Sequence, residues 1–258
     1  MTTTPELTQL TQETGAATGG ATVALVTGAN KGIGRETARR LAALGWTVWL
    51  GARDAERGAL AVQELTDAQP GADVRFVQLD VTSDASVADA VARIEDASGR
   101  LDVLVNNAGI GGAFVGPREA TPADFITVYG VNLLGPVRVT HAFLPLLDRS
   151  ERPRVVMVSS GMGSFGVTTD PDRIESTLRS PVYQSSKAAL NMVTSQLAKE
   201  LDRYQVTAVD PGYTATDLND HGGPQTVQEG AESVVLAATF PPDAPTGRFV
   251  DRHGPLPW

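Results

Sequence analysis

Short apolar runs alternate with longer amphipathic segments along the chain from residue 21 onward. Runs such as ATVALVTG at 21–28 and RVVMVSS at 154–160 are typical of strands that are buried on both faces. In segments such as GRETARRLAALG at 34–45 the apolar residues recur every three or four positions, which predicts helices. The pattern predicts strands at 21–28, 47–53, 74–81, 101–109, 154–160, 205–212 and 247–251. It predicts helices at 34–45, 54–69, 83–98 and about 122–147, and, after an irregular stretch at 161–181, at about 182–203 and 227–240.

This alternation of strands and helices predicts one α/β domain, a doubly wound and predominantly parallel sheet of about seven strands. Right-handed crossovers would then place helices on both faces of the sheet. No internal repeat or shift in composition marks a second domain, so we predict a single domain over 21–258. Residues 1–20 are rich in Thr, Gln and Gly and contain no apolar run, and we expect a disordered tail there rather than a secretory signal.

Charge and composition exclude several classes of function. The formal net charge of −9 argues against a nucleic-acid partner, which needs a basic surface, and against docking on an anionic membrane. The absence of cysteine excludes disulfides, thiolate metal sites and cysteine nucleophiles. His141 and His253 lack metal-ligand spacing and His221 lies in a polar loop, so no metal site is predicted. Without an apolar stretch of ~18–20 residues, a cytoplasmic location is the default expectation.

Three glycines stand between the first predicted strand and the first predicted helix, in TGANKGIG. A chain that leaves a strand and at once enters a helix must turn sharply, and Gly28, Gly32 and Gly34 tolerate the backbone angles required. Without side chains they also leave room for a diphosphate at the helix N-terminus. Their spacing differs from G-x-G-x-x-G, and a purely structural turn is the alternative.

The second strand indicates which dinucleotide the turn would hold. An NAD-preferring fold has an acidic residue at the end of that strand, whereas here the strand ends in Ala52 and Arg53. Arg53 can form paired hydrogen bonds with a 2′-phosphate, and Lys31 in the glycine turn can add a positive charge. We therefore predict NADP(H). The alternative is that Arg53 and Asp54 only begin a solvated helix.

The segment PVYQSSKAAL at 181–190 places Tyr183 and Lys187 four positions apart on a predicted helix, in a chain with only three lysines. Positions four apart lie on the same face of a helix, with Cβ atoms about 5–6 Å from each other. An isolated pair of this kind is commonly a surface contact. Its meaning therefore depends on the other motifs in the chain.

Seven motifs occur in the order found in one large family: TGANKGIG, LDV at 79–81, NNAG at 106–109, VNLLG at 131–135, VVMVSS, YQSSK and DPGYTATD. In this respect residues 21–258 resemble the short-chain dehydrogenases/reductases, and most closely their NADPH-dependent carbonyl reductase branch, which implies a Rossmann fold. The resemblance implies a catalytic group of Asn132, Ser160, Tyr183 and Lys187. It implies a cofactor site formed by Gly28, Asn30, Lys31, Gly32, Ile33, Gly34, Arg53, Asp80, Val81, Asn107, Ala108, Gly109, Pro211, Gly212 and Thr216, in which Asp80 and Val81 hold the adenine.

These residue types suit carbonyl reduction, which needs a hydride at carbon and a proton at oxygen. Tyr183 would act as the general acid, and a nearby Lys187 would lower its pKa from about 10. The hydroxyl of Ser160 would steady the substrate oxygen, and Asn132 would hold a water that links Lys187 to solvent, as the family mechanism proposes. The structural alternative is that Ser160 ends a strand and Asn132 marks a helix kink.

The expected function is reduction of a hydrophobic ketone or aldehyde to an alcohol by NADPH. The alternatives are an alcohol dehydrogenase working in the oxidative direction and a non-catalytic NADP(H)-sensing regulator. The segment between Ser160 and Tyr183 is longer than in many family members and shorter than in some monomeric carbonyl reductases, which leaves monomer and homo-oligomer open. An apolar substrate pocket is expected from Met162, Phe165, Tyr213 and Leu218, with residues 216–225 as a mobile lid.

Overall fold

A computed structural model describes residues 21–258 of the chain. The tail predicted at 1–20 lies outside the described residues. The sheet has eight strands in the order β3-β2-β1-β4-β5-β6-β7-β8, of which all but the last are parallel. The strands are β1 Val23–Thr27, β2 Thr47–Ala52, β3 Val74–Gln78, β4 Val103–Asn106, β5 Arg154–Val158, β6 Gln205–Val209, β7 Arg248–Asp251 and β8 Gly254–Pro255.

The eight α-helices of the described residues connect these strands. They are α1 Gly32–Ala43, α2 Ala55–Ala68, α3 Asp84–Ser98, α4 Pro122–Tyr129, α5 Gly135–Leu147, α6 Phe165–Thr168, α7 Pro181–Glu200 and α8 Val227–Ala238. Side chains accept a backbone N–H at the start of α2, α3 and α8, where the caps are Asp54, Ser83 and Thr226. No helix in residues 21–258 has the length and apolar character needed to cross a membrane.

The sheet carries an apolar core on each face, as expected for strands that are hydrophobic on both sides. One core packs α1, α2 and α8 against the sheet through residues such as Leu41, Leu65 and Val234. The other packs α3, α5 and α7 through residues such as Ile94, Phe143 and Leu190. The predicted doubly wound α/β fold is therefore confirmed, with strand order reversing between β1 and β4.

The structure departs from the sequence prediction in two places. The long helix predicted over 122–147 is interrupted by a π-helical turn, Gly130–Leu134, that separates α4 from α5. The sheet also gains the two-residue antiparallel strand β8, which pairs with β7. Beyond it, the Trp258 ring stacks on Phe249, with the ring centroids 5.6 Å apart.

Candidate active site

The predicted site residues converge at the carboxyl ends of the parallel strands. A cleft of about 570 Å³ opens there, between the glycine turn after β1, the loops after β2, β3 and β4, and residues 215–221 after β6. This is the edge and the strand-order reversal at which open α/β sheets bind ligands. Every residue predicted to contact the cofactor lines this cleft except Pro211 and Gly212.

The glycine turn is held in place by Asn107. Its amide nitrogen donates to the carbonyls of Thr27 and Gly28 at 2.8 and 3.2 Å, and its backbone N–H donates to the Thr27 hydroxyl at 3.0 Å. A Cβ on Gly34 would lie 2.4 Å from that amide nitrogen, and one on Gly28 would lie 2.9 Å from the Cα of Ala108. The turn therefore requires glycine both for its backbone angles, with φ of +63° at Gly28, and for close packing.

The N-terminus of α1 fits an anionic ligand. Its N-cap, Lys31, makes no side-chain capping hydrogen bond, and the first turn of α1 contains no acidic residue. The first N–H groups of a helix have no partner within the helix, and the helix dipole favours negative charge there. The first residues of α1, Gly32, Ile33 and Gly34, belong to the glycine turn and line the cleft, so the residues present suit a diphosphate.

Positive charge lies at the far end of the cleft. Arg53 follows β2 and lines the cleft, whereas the neighbouring Asp54 is used as the N-cap of α2 and accepts from the backbone N–H of Arg57 at 3.0 Å. Hydrogen bonds from the backbone and side chain of Thr82 hold the pKa of Asp80 below its ordinary value, and the charge of Arg53 lowers it further. Asp54, which could have indicated an NAD preference, thus has a structural role.

Lys31 and Asp217 form an ion pair across the mouth of the cleft. His221 lies beside them, with its Nε2 3.1 Å from an oxygen of Asp217. The sequence predicted that Lys31 adds a positive charge at a 2′-phosphate. In the structure Lys31 is paired with Asp217, and the charge of Lys31 lowers the pKa of Asp217. The loop that contributes Asp217 is closed at its base, where the N–H of Ala215 donates to the carbonyl of Gln225 at 2.8 Å. Its predicted role as a mobile lid stays a prediction.

Tyr183, Ser160 and Lys187 lie together beside the cleft. The side chain of Ser160 neighbours the Tyr183 phenol and lowers its pKa. The Lys187 ammonium donates to the carbonyl of Val158 at 2.8 Å and lies 5.7 Å from the centroid of the Tyr183 ring. Tyr183 and Lys187 are only 8% and 4% exposed, and a Cβ on Gly109 in the cleft wall would lie 3.7 Å from the lysine nitrogen. The group therefore borders the cleft at Gly109.

The pKa of Tyr183 differs from the sequence expectation. Burial raises the pKa of the phenol, the negative charge of Asp210 raises it further, and only the neighbouring Ser160 side chain acts in the opposite direction. Burial also lowers the pKa of Lys187 to about 8. The expected lowering of the Tyr183 pKa by Lys187 is thus wrong for this structure, because the lysine nitrogen donates to a backbone carbonyl and both groups are buried.

Asn132 lies in the π-helical turn and is fully buried. Its amide bonds both polar atoms of the Ile110 backbone, accepting from the N–H and donating to the carbonyl at 2.9 Å each. It also donates to the hydroxyl of Ser186 at 3.1 Å. Such turns inside helices are frequent at functional sites. The interruption of the helix that the sequence offered as the alternative for Asn132 is therefore present, and its catalytic role stays a prediction.

Three of the four side chains predicted to form the substrate pocket are exposed, and one of them, Leu218, lines the cleft. Phe165, Tyr213 and Leu218 are 74%, 60% and 39% exposed, as a surface that meets an apolar ligand would be. Phe114 was not predicted, although its ring centroid lies 6.2 Å from that of Tyr183 and its side chain is 56% exposed. Its only sequence signal was an aromatic residue shortly after the NNAG motif. Other lining residues that the sequence reasoning missed are Leu79, Thr82, Ile110, Gly111, Gly112, Val131, Ala215, Asp217 and Val227.

Fold and site together define a Rossmann-type α/β protein with a Ser–Tyr–Lys group at the edge of its cleft. The chain belongs to the short-chain dehydrogenase family, because the family model described as "short chain dehydrogenase" matches residues 22–226. The predicted family is confirmed, and the chain is an oxidoreductase of that family.

Individual relatives extend this similarity over nearly the whole chain. The (+)-neomenthol dehydrogenase of Arabidopsis thaliana is 36% identical, with 89% of this chain and 95% of the relative covered. The (−)-isopiperitenone reductase of Mentha piperita is 35% identical, with 90% and 97% covered. Among solved structures, the NADPH-bound carbonyl reductase from chicken fatty liver is similar with a TM-score of 0.79 and 28% identity, covering 92% of this chain and 99% of that chain.

Proposed function

We propose that the protein reduces a hydrophobic ketone or aldehyde to an alcohol with NADPH as hydride donor. The observation that carries the proposal is the grouping of Tyr183, Ser160 and Lys187 beside the cleft, with the Ser160 side chain close enough to lower the pKa of the Tyr183 phenol and the Lys187 ammonium 5.7 Å from the centroid of the tyrosine ring. Two hydroxyl groups converge there at the edge of a cleft that suits a dinucleotide. The relatives named as an isopiperitenone reductase and a carbonyl reductase support the same chemistry.

The preference for NADP(H) rests on the adenosine end of the cleft. Arg53 lines the cleft directly after β2, where an NAD-preferring fold would carry an acidic side chain. The guanidinium can bind a 2′-phosphate through two parallel hydrogen bonds. Asp54 does not offset this charge in the same way, because it caps α2. The solved carbonyl reductase with bound NADPH supports this assignment.

In the proposed reaction the nicotinamide, when bound, supplies the hydride to the carbonyl carbon. Tyr183 holds a proton at its phenol oxygen, because burial and the charge of Asp210 raise its pKa. It would donate that proton to the substrate oxygen as the oxygen becomes strongly basic. Ser160 would donate a hydrogen bond to the same oxygen and so stabilise the negative charge that develops on it.

Lys187 and Asn132 are proposed to support this proton donor. The Lys187 ammonium would stabilise the phenolate that remains after Tyr183 has given up its proton. Asn132 holds the backbone of Ile110 next to Gly109, through two hydrogen bonds of 2.9 Å. It would therefore keep the cleft wall in a fixed position beside the reacting groups.

The test is NADPH oxidation against a panel of ketones, aldehydes and quinones, with Tyr183→Phe as the variant. We expect the wild type to reduce apolar members of the panel and Tyr183→Phe to lose at least about 100-fold in kcat, the usual range for a general acid. Tyr204→Phe is the matched control. Tyr204 is also buried, but its hydroxyl bonds Asp148 at 2.9 Å, outside the site. It should keep the wild-type kcat.

Three outcomes would contradict the proposal. A wild type that binds NADPH and is inert towards the whole panel would favour a cofactor-sensing regulator. Turnover confined to secondary alcohols with NADP⁺ would favour an oxidative dehydrogenase. Equal activity of Tyr183→Phe and the wild type would remove the phenol from the reaction.

A further inference from the structure

A buried amide on α7 that the proposed reaction does not use lies beside the turn that carries Ser160. Asn191 is 4% exposed, and its side chain forms hydrogen bonds in two directions. Its amide oxygen accepts from the hydroxyl of Ser159 at 2.5 Å, and its amide nitrogen donates to the carbonyl of Gly163 at 3.2 Å. Since a carbonyl only accepts, the nitrogen must face Gly163 and the oxygen must face Ser159. One side chain thus contacts the residue before Ser160 and the third residue after it.

The segment between these two contacts, residues 159–163, is a compact turn around Ser160. Gly161–Gly163 form a 3₁₀ turn, in which the N–H of Gly163 donates to the carbonyl of Ser160 at 2.9 Å. The hydroxyl of Ser160 accepts from the N–H of Met162 at 3.2 Å. Because the Ser160 turn is bonded internally, contacts that hold its two ends also hold the Ser160 hydroxyl between them.

The Ser160 turn lies directly against the backbone of α7. A Cβ on Gly163 would lie 2.6 Å from the carbonyl carbon of Lys187, 2.7 Å from the Cβ of Lys187 and 2.8 Å from the backbone nitrogen of Ala188. A side chain at position 163 would therefore push the turn away from the helix. The strand that leads into the turn is anchored to the same helix, since the Lys187 ammonium donates to the carbonyl of Val158 at 2.8 Å.

Asn191 shares one face of α7 with the proposed catalytic pair. Tyr183, Lys187 and Asn191 are spaced four positions apart, which places them in a row along the helix. All three are at most 8% exposed. Because Asn191 belongs to the same helix as Tyr183 and Lys187, its two hydrogen bonds determine where the Ser160 turn lies relative to that pair.

The direction of these bonds distinguishes Asn191 from another buried polar residue of α7. Thr194 is fully buried, but its hydroxyl donates to the carbonyl of Leu190 at 2.8 Å, within the helix itself. Both polar groups of Asn191 instead bond a different segment of the chain. A buried amide is destabilising unless its polar atoms are paired, and the Ser160 turn supplies both partners.

We propose that Asn191 is a positioning residue, which holds the Ser160 turn on the face of α7 that carries Tyr183 and Lys187. The inference rests on the proposed function, because its consequence is that the Ser160 hydroxyl stays where the substrate oxygen would bind. Asn191 is buried and both its polar atoms are bonded, so it acts through Ser160 and not on the substrate. The sequence did not indicate it, since it lies four residues beyond the YQSSK motif.

Hydrogen exchange tests this contact without turnover. Asn191→Leu replaces the amide with an apolar side chain of similar size and removes both hydrogen bonds. The N–H groups of Gly163 and Ser164 donate within the turn, to the carbonyls of Ser160 and Gly161. We expect peptides covering 159–168 to exchange these amides at least about tenfold faster than in the wild type, relative to peptides from β2. The matched control Thr194→Val loses a buried hydrogen bond within α7 and should keep the wild-type rate.

Turnover tests whether Asn191 acts through Ser160. In Asn191→Leu we expect kcat to fall at least about tenfold, because a misplacement of about 1 Å in an active site can cost 100-fold. The Kd for NADPH should stay within about twofold, since the glycine turn and Arg53 are unchanged. Ser160→Ala should cost at least about threefold less in the Asn191→Leu background than in the wild type. If the two losses simply multiplied, Asn191 would not act through Ser160 and the inference would be overturned.

Two further variants perturb the same contact from the side of the turn, and they serve if Asn191→Leu does not fold. Ser159→Ala removes one of the two hydrogen bonds, and Gly163→Ala presses the turn away from Lys187. Each should speed exchange in 159–168 and lower kcat by at least about threefold. Wild-type exchange and wild-type kcat in folded variants would contradict the inference and leave carbonyl reduction intact. An inert wild type whose exchange still accelerates in Asn191→Leu would remove the proposed function and keep the contact.

Discussion

Replacing Gly34 by Ala would place a methyl group where the glycine turn meets Asn107. The new Cβ would lie 2.4 Å from the Asn107 amide nitrogen, 2.9 Å from the carbonyl oxygen of Gly28 and 3.0 Å from the Cα of Ala29. Two of these three neighbours are backbone atoms, which cannot rotate out of the way. The variant must therefore displace the Asn107 side chain, open the turn, or both.

The magnitude follows from the contacts that are lost. The Asn107 amide donates to the carbonyls of Thr27 and Gly28, and each such hydrogen bond contributes about 1 kcal/mol. Overpacking adds about 1–3 kcal/mol of strain. The helical preference of Ala over Gly offsets about 1 kcal/mol of this at Gly34, which lies in the first turn of α1. We expect the free energy of unfolding to fall by about 2–4 kcal/mol.

Because the same turn forms the proposed diphosphate site, NADPH should also bind less tightly. A displacement that costs about 1.4 kcal/mol in binding raises Kd tenfold, and we expect at least that effect in Gly34→Ala. Urea unfolding without NADPH measures the stability, and a titration followed by nicotinamide fluorescence measures Kd. The two measurements together distinguish a damaged cradle from a globally unstable protein.

Gly130→Ala is the matched control. Gly130 is also in a helical conformation, but nothing lies within 4 Å of the Cβ that Ala would add. We expect it to be neutral or to stabilise the protein by up to about 1 kcal/mol, with unchanged Kd. If Gly34→Ala were as stable as Gly130→Ala and bound NADPH as tightly as the wild type, the crowding argument would be refuted.

Two further predictions concern charge. Arg53→Asp should lower kcat/KM with NADPH by at least about tenfold and raise kcat/KM with NADH. The control Arg57→Asp should change neither value. If Arg53→Asp and the wild type had the same selectivity between the two cofactors, Arg53 would not bind the phosphate. Hydrogen bonds from Thr226 lower the pKa of Glu229 to about 2, from an ordinary value of 4.5. The stability that Glu229 contributes is therefore fully present above pH 4.5 and is lost as the pH falls towards 2. The urea midpoint of Glu229→Gln should therefore change less between pH 5 and pH 3 than that of the wild type or of the exposed control Glu200→Gln; parallel changes in all three proteins would contradict the assignment.

The sheet could be predicted from the sequence because its central strands are buried on both faces and read as continuous apolar runs. β1, β4 and β5 lie in the middle of the sheet and are almost entirely buried. β8 could not be predicted, since two residues, Gly254 and Pro255, carry no strand pattern and their pairing with β7 depends on the turn between them. Helix boundaries agreed to within a few residues, and Ser83, the first residue of the helix predicted at 83–98, is the N-cap of α3.

The candidate site was predictable to the extent that it depends on strand ends. In a parallel sheet the residues that follow each strand meet at one edge, so the glycine turn, Asn107 and Ser160 had to lie close to each other. Partners distant in sequence left no such signal. The pairing of Lys31 with Asp217 joins residues 186 positions apart, and the direction of the Tyr183 pKa depends on how deeply the phenol is buried.

The π-helical turn at Gly130–Leu134 sets the angular relation between two halves of what would otherwise be one helix. Each residue advances a helix by about 100°, so a chain one residue shorter here would rotate everything before the turn by that angle relative to α5. Asn132 would then no longer meet the backbone of Ile110, and α4 would present a different face to α7. In this stretch the number of residues therefore constrains the chain as tightly as the identity of Asn132 does, because both are needed to bring its amide to the backbone of Ile110.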